Sequence, residues 1–224
     1  MPNIVICPHP PLLFSGLGGF ADPGAELRSI SVEAIRDALA DAPAVVHLVG
    51  AGGEPWPGTR LPLSVAVGSH LLDLAGWQGP RTHHVLPAEP TDADLAAGAV
   101  LLMGDGSARR SERAPGHVDP RAEAFDESVE EALVKGDAEA LAALDPDLGA
   151  ELMAAGTEAF RALGRWGLTW VVAESQLRWA GAPYGVGYWV ATWRLEPSPG
   201  PPRGLSPISG SHSPLCMLSP RLPL

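Results

Sequence analysis

The sequence lacks the features that mark a secreted or membrane-spanning protein. It holds only two cysteines in 224 residues, Cys7 and Cys216, so a disulfide framework is not supported and a reducing cytoplasm is the expected compartment. No apolar run reaches the length of a transmembrane helix, and the first residues carry no basic segment of the kind that opens a signal peptide. These absences predict a cytoplasmic protein.

Positive charge is also scarce. The chain has 15 Lys and Arg against 26 Asp and Glu, which gives a formal net charge of -11. Such a surface repels phosphate backbones and anionic membranes, so we expect neither nucleic acid nor a membrane as a partner. Apolar residues make up 46% of the chain, which is enough for a packed core and excludes global disorder.

Apolar runs that alternate with helical segments predict an α/β fold. Buried strands are predicted at residues 4–7, 44–49 and 99–103, and a C-terminal strand pair at 169–179 and 184–195. Helices are predicted at 25–40, 63–75, 120–134, 137–144 and 146–163, with a short helical turn capped by Thr91. We expect a single domain with a central, mostly parallel sheet that is flanked by helices. Its functional site is expected at the carboxyl ends of the strands.

The composition changes after residue 195. Residues 1–195 form the predicted domain, whereas residues 196–224 are rich in Pro, Ser and Gly and show no periodicity. Such a segment is predicted to be a disordered tail. Its Pro-x-x-Pro spacings could bind a partner protein, and an extension without function is the alternative.

His9 is the first candidate functional residue. It follows the first predicted strand and stands between Pro8 and Pro10, which restrict the backbone. A rigid loop at a strand end is suited to present a metal ligand or a general base. The alternative is a structural histidine that caps the sheet edge by hydrogen bonds.

The second candidate element follows the strand predicted at 99–103. Its glycines permit a tight turn, and Asp105 between them could orient a neighbouring side chain or cap the turn. Arg109 and Arg110 could clamp a carboxylate or a phosphate. The alternative is an aspartate that satisfies loop amides beside two solvated arginines.

The other histidines show no helical spacing typical of a zinc pair. His47 lies inside a predicted buried strand and is expected to be a hydrogen-bonded core residue. His83 and His84 are adjacent, so their side chains are expected to point in different directions.

Several segments together resemble the class III extradiol dioxygenase superfamily, in the branch that holds the catalytic chains of these enzymes and the Memo-like proteins. Segment 7–13, Cys-Pro-His-Pro-Pro-Leu-Leu, is similar to the N-terminal signature of bacterial members. The other similar segments are 103–108, 119–126, 136–137, 144–146 and 182–188. The resemblance covers most of residues 1–195.

The resemblance implies ferrous iron, Fe(II), in a site of two His and one carboxylate at the sheet's carboxyl edge, with a further His as acid and base. His9 matches the first metal ligand. The second is expected after the strand at 44–49, where the chain has Gly50-Ala51-Gly52. The acid/base His falls at Ala108, and the third ligand falls at residues 154–156, Ala-Ala-Gly. The side chains of alanine and glycine can neither coordinate a metal ion nor transfer a proton.

Three functions therefore remain open. One is an iron-dependent extradiol oxygenase with a relocated site, for which the replacement candidates are His47, Glu54, Asp105, Arg109 and His117. Another is a metal-free pseudoenzyme that binds a small acidic or aromatic ligand. The third is a scaffold that works through contacts with other proteins and could itself be a homodimer.

Each candidate residue has a predicted role. Asp105 and Arg109 are the predicted catalytic residues, His9 and Arg110 the predicted ligand-binding residues, and His9 the predicted metal ligand. For the cofactor, the two alternatives are Fe(II) and none.

Overall fold

The structure, a computed structural model, describes residues 1–14 and 22–198. Its strands are β1 (Asn3–Cys7), β2 (Val46–Gly50), β3 (Arg81–Val85), β4 (Ala99–Met103), β5 (Trp170–Gly181) and β6 (Tyr188–Pro197). They form one sheet in the order β3-β2-β4-β1-β6-β5. The first four strands are parallel, and β6 is antiparallel to both of its neighbours. The predicted α/β fold with a C-terminal strand pair is confirmed.

Helices cover both faces of the sheet. They are α1 (Ala25–Leu39), α2 (Leu63–Leu74), α3 (Asp92–Ala97), α4 (Ala122–Lys135), α5 (Ala138–Ala142), α6 (Pro146–Glu151) and α7 (Thr157–Thr169). Val5 and Cys7 of β1 pack with α1 and α2, whereas Ile4 and Ile6 pack with α4 and α7. Because both faces are buried, the inner strands are continuous apolar runs, which is why their positions could be predicted.

The strand register brings four chain segments to one edge of the sheet. Cys7 at the end of β1 pairs with Met103 at the end of β4, and Met103 also pairs with Gly50 at the end of β2. β6 runs the opposite way and begins at the same edge with Tyr188. We call this edge, where β1, β2 and β4 end and β6 begins, the carboxyl edge.

One strand was not predicted. β3 has the sequence Arg-Thr-His-His-Val, and none of its residues is fully buried. It lies at the edge of the sheet beside β2, so it needs no apolar run, and hydrophobic periodicity could not detect it. The short helix predicted to be capped by Thr91, just after β3, is confirmed, and Asp94 completes a capping box with Thr91.

The prediction of one helix over residues 146–163 is wrong. The chain forms α6 and α7 there, and Met153 between them has a left-handed backbone with φ of 55°. The end of α6 is held by long-range bonds, because the carbonyl of Leu152 accepts hydrogen bonds from Ala108 N and Ser107 Oγ. Tertiary contacts thus override a local sequence that favours helix throughout.

The chain beyond the last strand is only partly described. Glu196 and Pro197, the first residues of the predicted tail, are the last two residues of β6, whereas residues 199–224 lie outside the described residues. The predicted strand at 184–195 begins later, at Tyr188, because Pro183–Gly185 form a 3-10 turn. None of the described helices combines the length and apolar character needed to cross a bilayer.

Candidate functional site at the carboxyl edge

His9 and Asp105 form a buried pair at the carboxyl edge. The backbone N–H of His9 donates a hydrogen bond of 2.7 Å to Asp105 Oδ1, and the ring nitrogen Nδ1 of His9 lies 3.4 Å from the same oxygen. His9 is 6% exposed and Asp105 is 9% exposed. The pairing follows from the sheet, because Gly104 N donates to Cys7 O and thereby extends the β1–β4 pairing into the two loops. Two residues predicted separately are therefore one site.

The electrostatics of the pair are governed by burial. Burial raises the pKa of the Asp105 carboxyl, and the charge of His9 and the hydrogen bond from its backbone oppose that rise. Nδ1 of His9 has no hydrogen-bond partner among the described residues. A desolvated carboxylate is stabilised by a nearby cation. The Asp105 carboxyl group therefore keeps its proton to a higher pH than an exposed aspartate does.

Tyr188 is a third polar group at this edge, and it was not predicted as a site residue. It is 4% exposed. Burial raises the pKa of its phenol, and the negative charge of Asp105 raises it further. The hydroxyl therefore stays protonated beside the carboxylate. Only the antiparallel placement of β6 next to β1 brings it there, and no local sequence pattern indicates that placement.

Asp126 of α4 fixes the loop that carries Asp105. Its Oδ1 accepts a 2.7 Å hydrogen bond from Ser107 N. The side chain is 1% exposed, and Oδ2 has no hydrogen-bond partner in the described part of the chain. Burial raises the pKa of Asp126 to about 6, against the effects of the Ser107 N–H and the Arg110 charge.

The backbone closes around this carboxylate. Gly106 N donates to Gly187 O at 2.8 Å, and Gly187 N donates to Ser107 O at 3.0 Å. A Cβ atom on Gly187 would lie 2.4 Å from Asp126 Oδ2. The β5–β6 connection and the loop after β4 are therefore locked together, which restricts the position of Asp105.

The two predicted arginines lie beside this loop. The guanidinium of Arg110 contacts Glu123 Oε1 at 3.3 Å and Asp126 Oδ2 at 3.8 Å. It borders a surface groove lined also by Arg113 and Tyr184. Among the described residues, no hydrogen bond or ion pair joins Arg109 or Arg110 to His9 or Asp105. Their predicted catalytic and ligand-binding roles stay predictions.

The positions that the resemblance assigns to further metal ligands and to the acid/base His are closely packed. A Cβ atom on Gly50 would lie 2.6 Å from Ser64 Oγ. A Cβ atom on Gly156 would lie 2.6 Å from the backbone N and O of Asp105. Ala108 is 8% exposed, and its backbone N–H donates to Leu152 O. These positions are used for the packing of the loops, and their side chains offer no atoms that could bind a metal ion.

The residues around His9 do not fit the iron site that the resemblance implies. Within residues 1–14 and 22–198, no three His, Cys, Asp or Glu side chains converge on a point where they could hold a metal ion. Of the replacement candidates, Glu54 and His117 are exposed. His47 is held at Thr82 and Asp94 by its hydrogen bonds. Among the candidates in the described part of the chain, only Asp105 makes a hydrogen bond or ion pair with His9.

His47 is a hydrogen-bonded core residue, as predicted. It is 2% exposed. Its Nε2 lies 3.1 Å from the carbonyl oxygen of Asp94, and its Nδ1 lies 2.8 Å from Thr82 Oγ1. The His84 ring packs against it, with centroids 5.4 Å apart. His83, one residue earlier in β3, is expected on the opposite face of the strand.

Comparison with known proteins adds no identification. No model of a protein family matches the chain, and no curated protein is significantly similar to it.

Proposed function

We propose that the chain is a divergent relative of the class III extradiol dioxygenases that binds a small acidic or aromatic ligand at the carboxyl edge, without ring cleavage. The supporting observation is the buried His9–Asp105 pair, in which Asp105 Oδ1 accepts a hydrogen bond from the backbone N–H of His9 and lies 3.4 Å from its ring nitrogen Nδ1. Buried polar groups in such an arrangement are characteristic of sites rather than of cores.

The chemistry of binding follows from the position of the His9 ring beside the Asp105 carboxyl group. When Nδ1 carries the proton directed at Asp105, Nε2 of His9 has the free lone pair. That nitrogen accepts a proton from a phenol or a carboxylic acid, and the resulting imidazolium lies between the Asp105 carboxylate and the ligand anion. Burial and the Asp105 charge raise the pKa of Tyr188, so its hydroxyl stays protonated and is a candidate donor to the ligand. The pair thus favours a ligand that carries an acidic O–H group.

Titration calorimetry with metal-free protein tests the proposal, with catechol and 3,4-dihydroxybenzoate as the probes. We expect binding to the wild type and a loss of about tenfold or more in affinity for Asp105→Asn. The amide still accepts the backbone hydrogen bond of His9 but no longer balances the imidazolium. Replacement of the exposed His117, as His117→Gln, is the matched control and leaves the affinity unchanged.

A second measurement separates binding from catalysis. The protein is purified without oxygen and incubated with ferrous iron, and its iron content is then determined by elemental analysis. About one retained iron per chain, together with oxygen uptake on addition of catechol, would replace the proposal with ring cleavage. The absence of binding of either probe, or equal affinity of Asp105→Asn and the wild type, would refute the proposed site.

A further inference from the structure

A second cluster of polar side chains lies near the start of β2, away from the carboxyl edge. It consists of His47 of β2 and of Thr82 and His84 of β3. Nδ1 of His47 lies 3.4 Å from Nε2 of His84, and Thr82 Oγ1 lies 2.8 Å and 3.0 Å from these two nitrogens. Three donor atoms from adjacent strands therefore form a compact triangle.

The hydrogen bonds of His47 determine which of its ring nitrogens carries the lone pair that faces the triangle. A carbonyl oxygen only accepts hydrogen bonds, so Nε2 of His47 carries the proton and donates it to Asp94 O. The neutral ring then has its lone pair on Nδ1, directed at Thr82 and His84. Metal-ligating histidines characteristically donate their other ring N–H to a carbonyl or a carboxylate in this way.

From this geometry we infer that His47, Thr82 and His84 form a binding site for a divalent transition-metal ion of the Zn²⁺ type. Imidazole nitrogens bind such ions at about 2.0–2.1 Å, so two of them on a tetrahedral ion are about 3.3–3.4 Å apart. The separation of the two ring nitrogens matches that spacing without any rearrangement of the strands. The two imidazoles are the protein ligands, and water takes the remaining positions, where the adjacent Thr82 hydroxyl is a hydrogen-bond partner for it.

The surroundings suit a cation and permit its entry. Thr82 is exposed and His84 is half-buried, so the triangle opens to solvent at the edge of the sheet. The Asp94 carboxylate of α3 lies close enough to both histidines to interact with them electrostatically. Gly98 makes room for the ring of His47, because a Cβ atom there would lie 2.8 Å from Nε2.

Calorimetric titration with ZnCl₂, and the visible absorption of the Co²⁺-loaded protein, test the inference on the full chain. We expect the wild type to bind one ion per chain with the absorption of a tetrahedral site. His84→Gln is expected to weaken Zn²⁺ binding by about tenfold or more. His83→Gln changes the adjacent histidine on the opposite face of β3 and leaves the affinity unchanged.

The outcomes separate a built site from adventitious binding by surface histidines. Equal loss of affinity in the two variants, or no binding by the wild type, would overturn the inference. Should His84→Gln fail to fold, X-ray absorption of the Zn²⁺-loaded wild type decides, because two imidazole ligands support the site and one or none contradicts it. The ligand-binding proposal at the carboxyl edge does not depend on either result.

Discussion

Two buried histidines at different ends of the same sheet differ in what fixes their rings. At the carboxyl edge, Nδ1 of His9 lies 3.4 Å from a carboxylate oxygen and makes no hydrogen bond within the described residues. Near the start of β2, the nitrogens of His47 contact the Asp94 carbonyl oxygen and the Thr82 hydroxyl. Burial alone therefore does not distinguish the two residues, which are 6% and 2% exposed.

The acceptor beside a histidine decides which chemistry its ring can perform. A carboxylate stabilises an imidazolium, which is the basis of the proposed proton transfer from a ligand to His9. A carbonyl oxygen holds the neutral tautomer without adding charge, so His47 keeps a lone pair that suits a metal ion. The carboxyl edge also holds the buried carboxyls with raised pKa, Asp105 and Asp126. We expect pH dependence to originate there.

The largest expected effect comes from filling the space beside Asp105. Gly156→Ala places a Cβ atom 2.6 Å from backbone atoms of Asp105, so the backbone must move. We expect the free energy of unfolding to fall by about 3 kcal/mol, with disturbed NMR signals of the His9 ring and unchanged signals of His47. In the control Gly52→Ala, the new atom meets only a Val85 methyl group at 3.2 Å. A comparable loss in both variants would show that the close approach at Gly156 is unimportant.

A smaller effect is expected from the buried Asp126. Its folded-state pKa of about 6 lies above the unfolded value of about 3.9, so the folded state favours the protonated form. The resulting stabilisation is complete below pH ~4 and is lost as the pH rises through ~6, a change on the order of 2 kcal/mol. Asp126→Asn is expected to remove this loss and to be more stable than the wild type at pH ~7.5.

Urea unfolding at three pH values, below, at and above the raised pKa of Asp126, measures that change. Glu127→Gln, on the exposed side of the same helix, is the control and should follow the wild-type pH profile. If Asp126→Asn kept the wild-type pH dependence, the stability change would have to come from another group. The proposed electrostatic difference between the carboxyl edge and the region around His47, where the described residues include no buried carboxylate, would then be unsupported.

The sequence predicted the parts of the site that depend on local order along the chain. His9 and Asp105 each follow a buried apolar strand, and parallel strands that end in register bring such residues together. Tyr188 was missed because it begins an antiparallel strand whose partner lies more than 180 residues away in the chain. Hydrophobic periodicity carries no information on that long-range pairing.

The same reasoning explains why the second cluster was not predicted. His47 was identified as a core residue, but its partners are on β3, an edge strand with little buried apolar surface. Without β3, no sequence pattern places Thr82 and His84 beside His47. The helix break at residues 152–156 was missed for a related reason, because it depends on contacts with the loop after β4.

The smallest effect is expected from a single hydroxyl group in that second cluster. Thr82→Val keeps the shape of the side chain but leaves the lone pair of His47 Nδ1 without its 2.8 Å donor. We expect a loss of about 1 kcal/mol in the free energy of unfolding, because the buried Nδ1 keeps only the longer 3.4 Å contact with Nε2 of His84. Thr82→Ser retains the hydroxyl and should recover most of the stability and the ring ¹⁵N shifts of His47. Equal stability of Thr82→Val and the wild type would mean that the Asp94 carbonyl and the His84 ring hold His47 without the Thr82 hydroxyl. That hydroxyl would then have no role in the hydrogen-bond network or in the metal site.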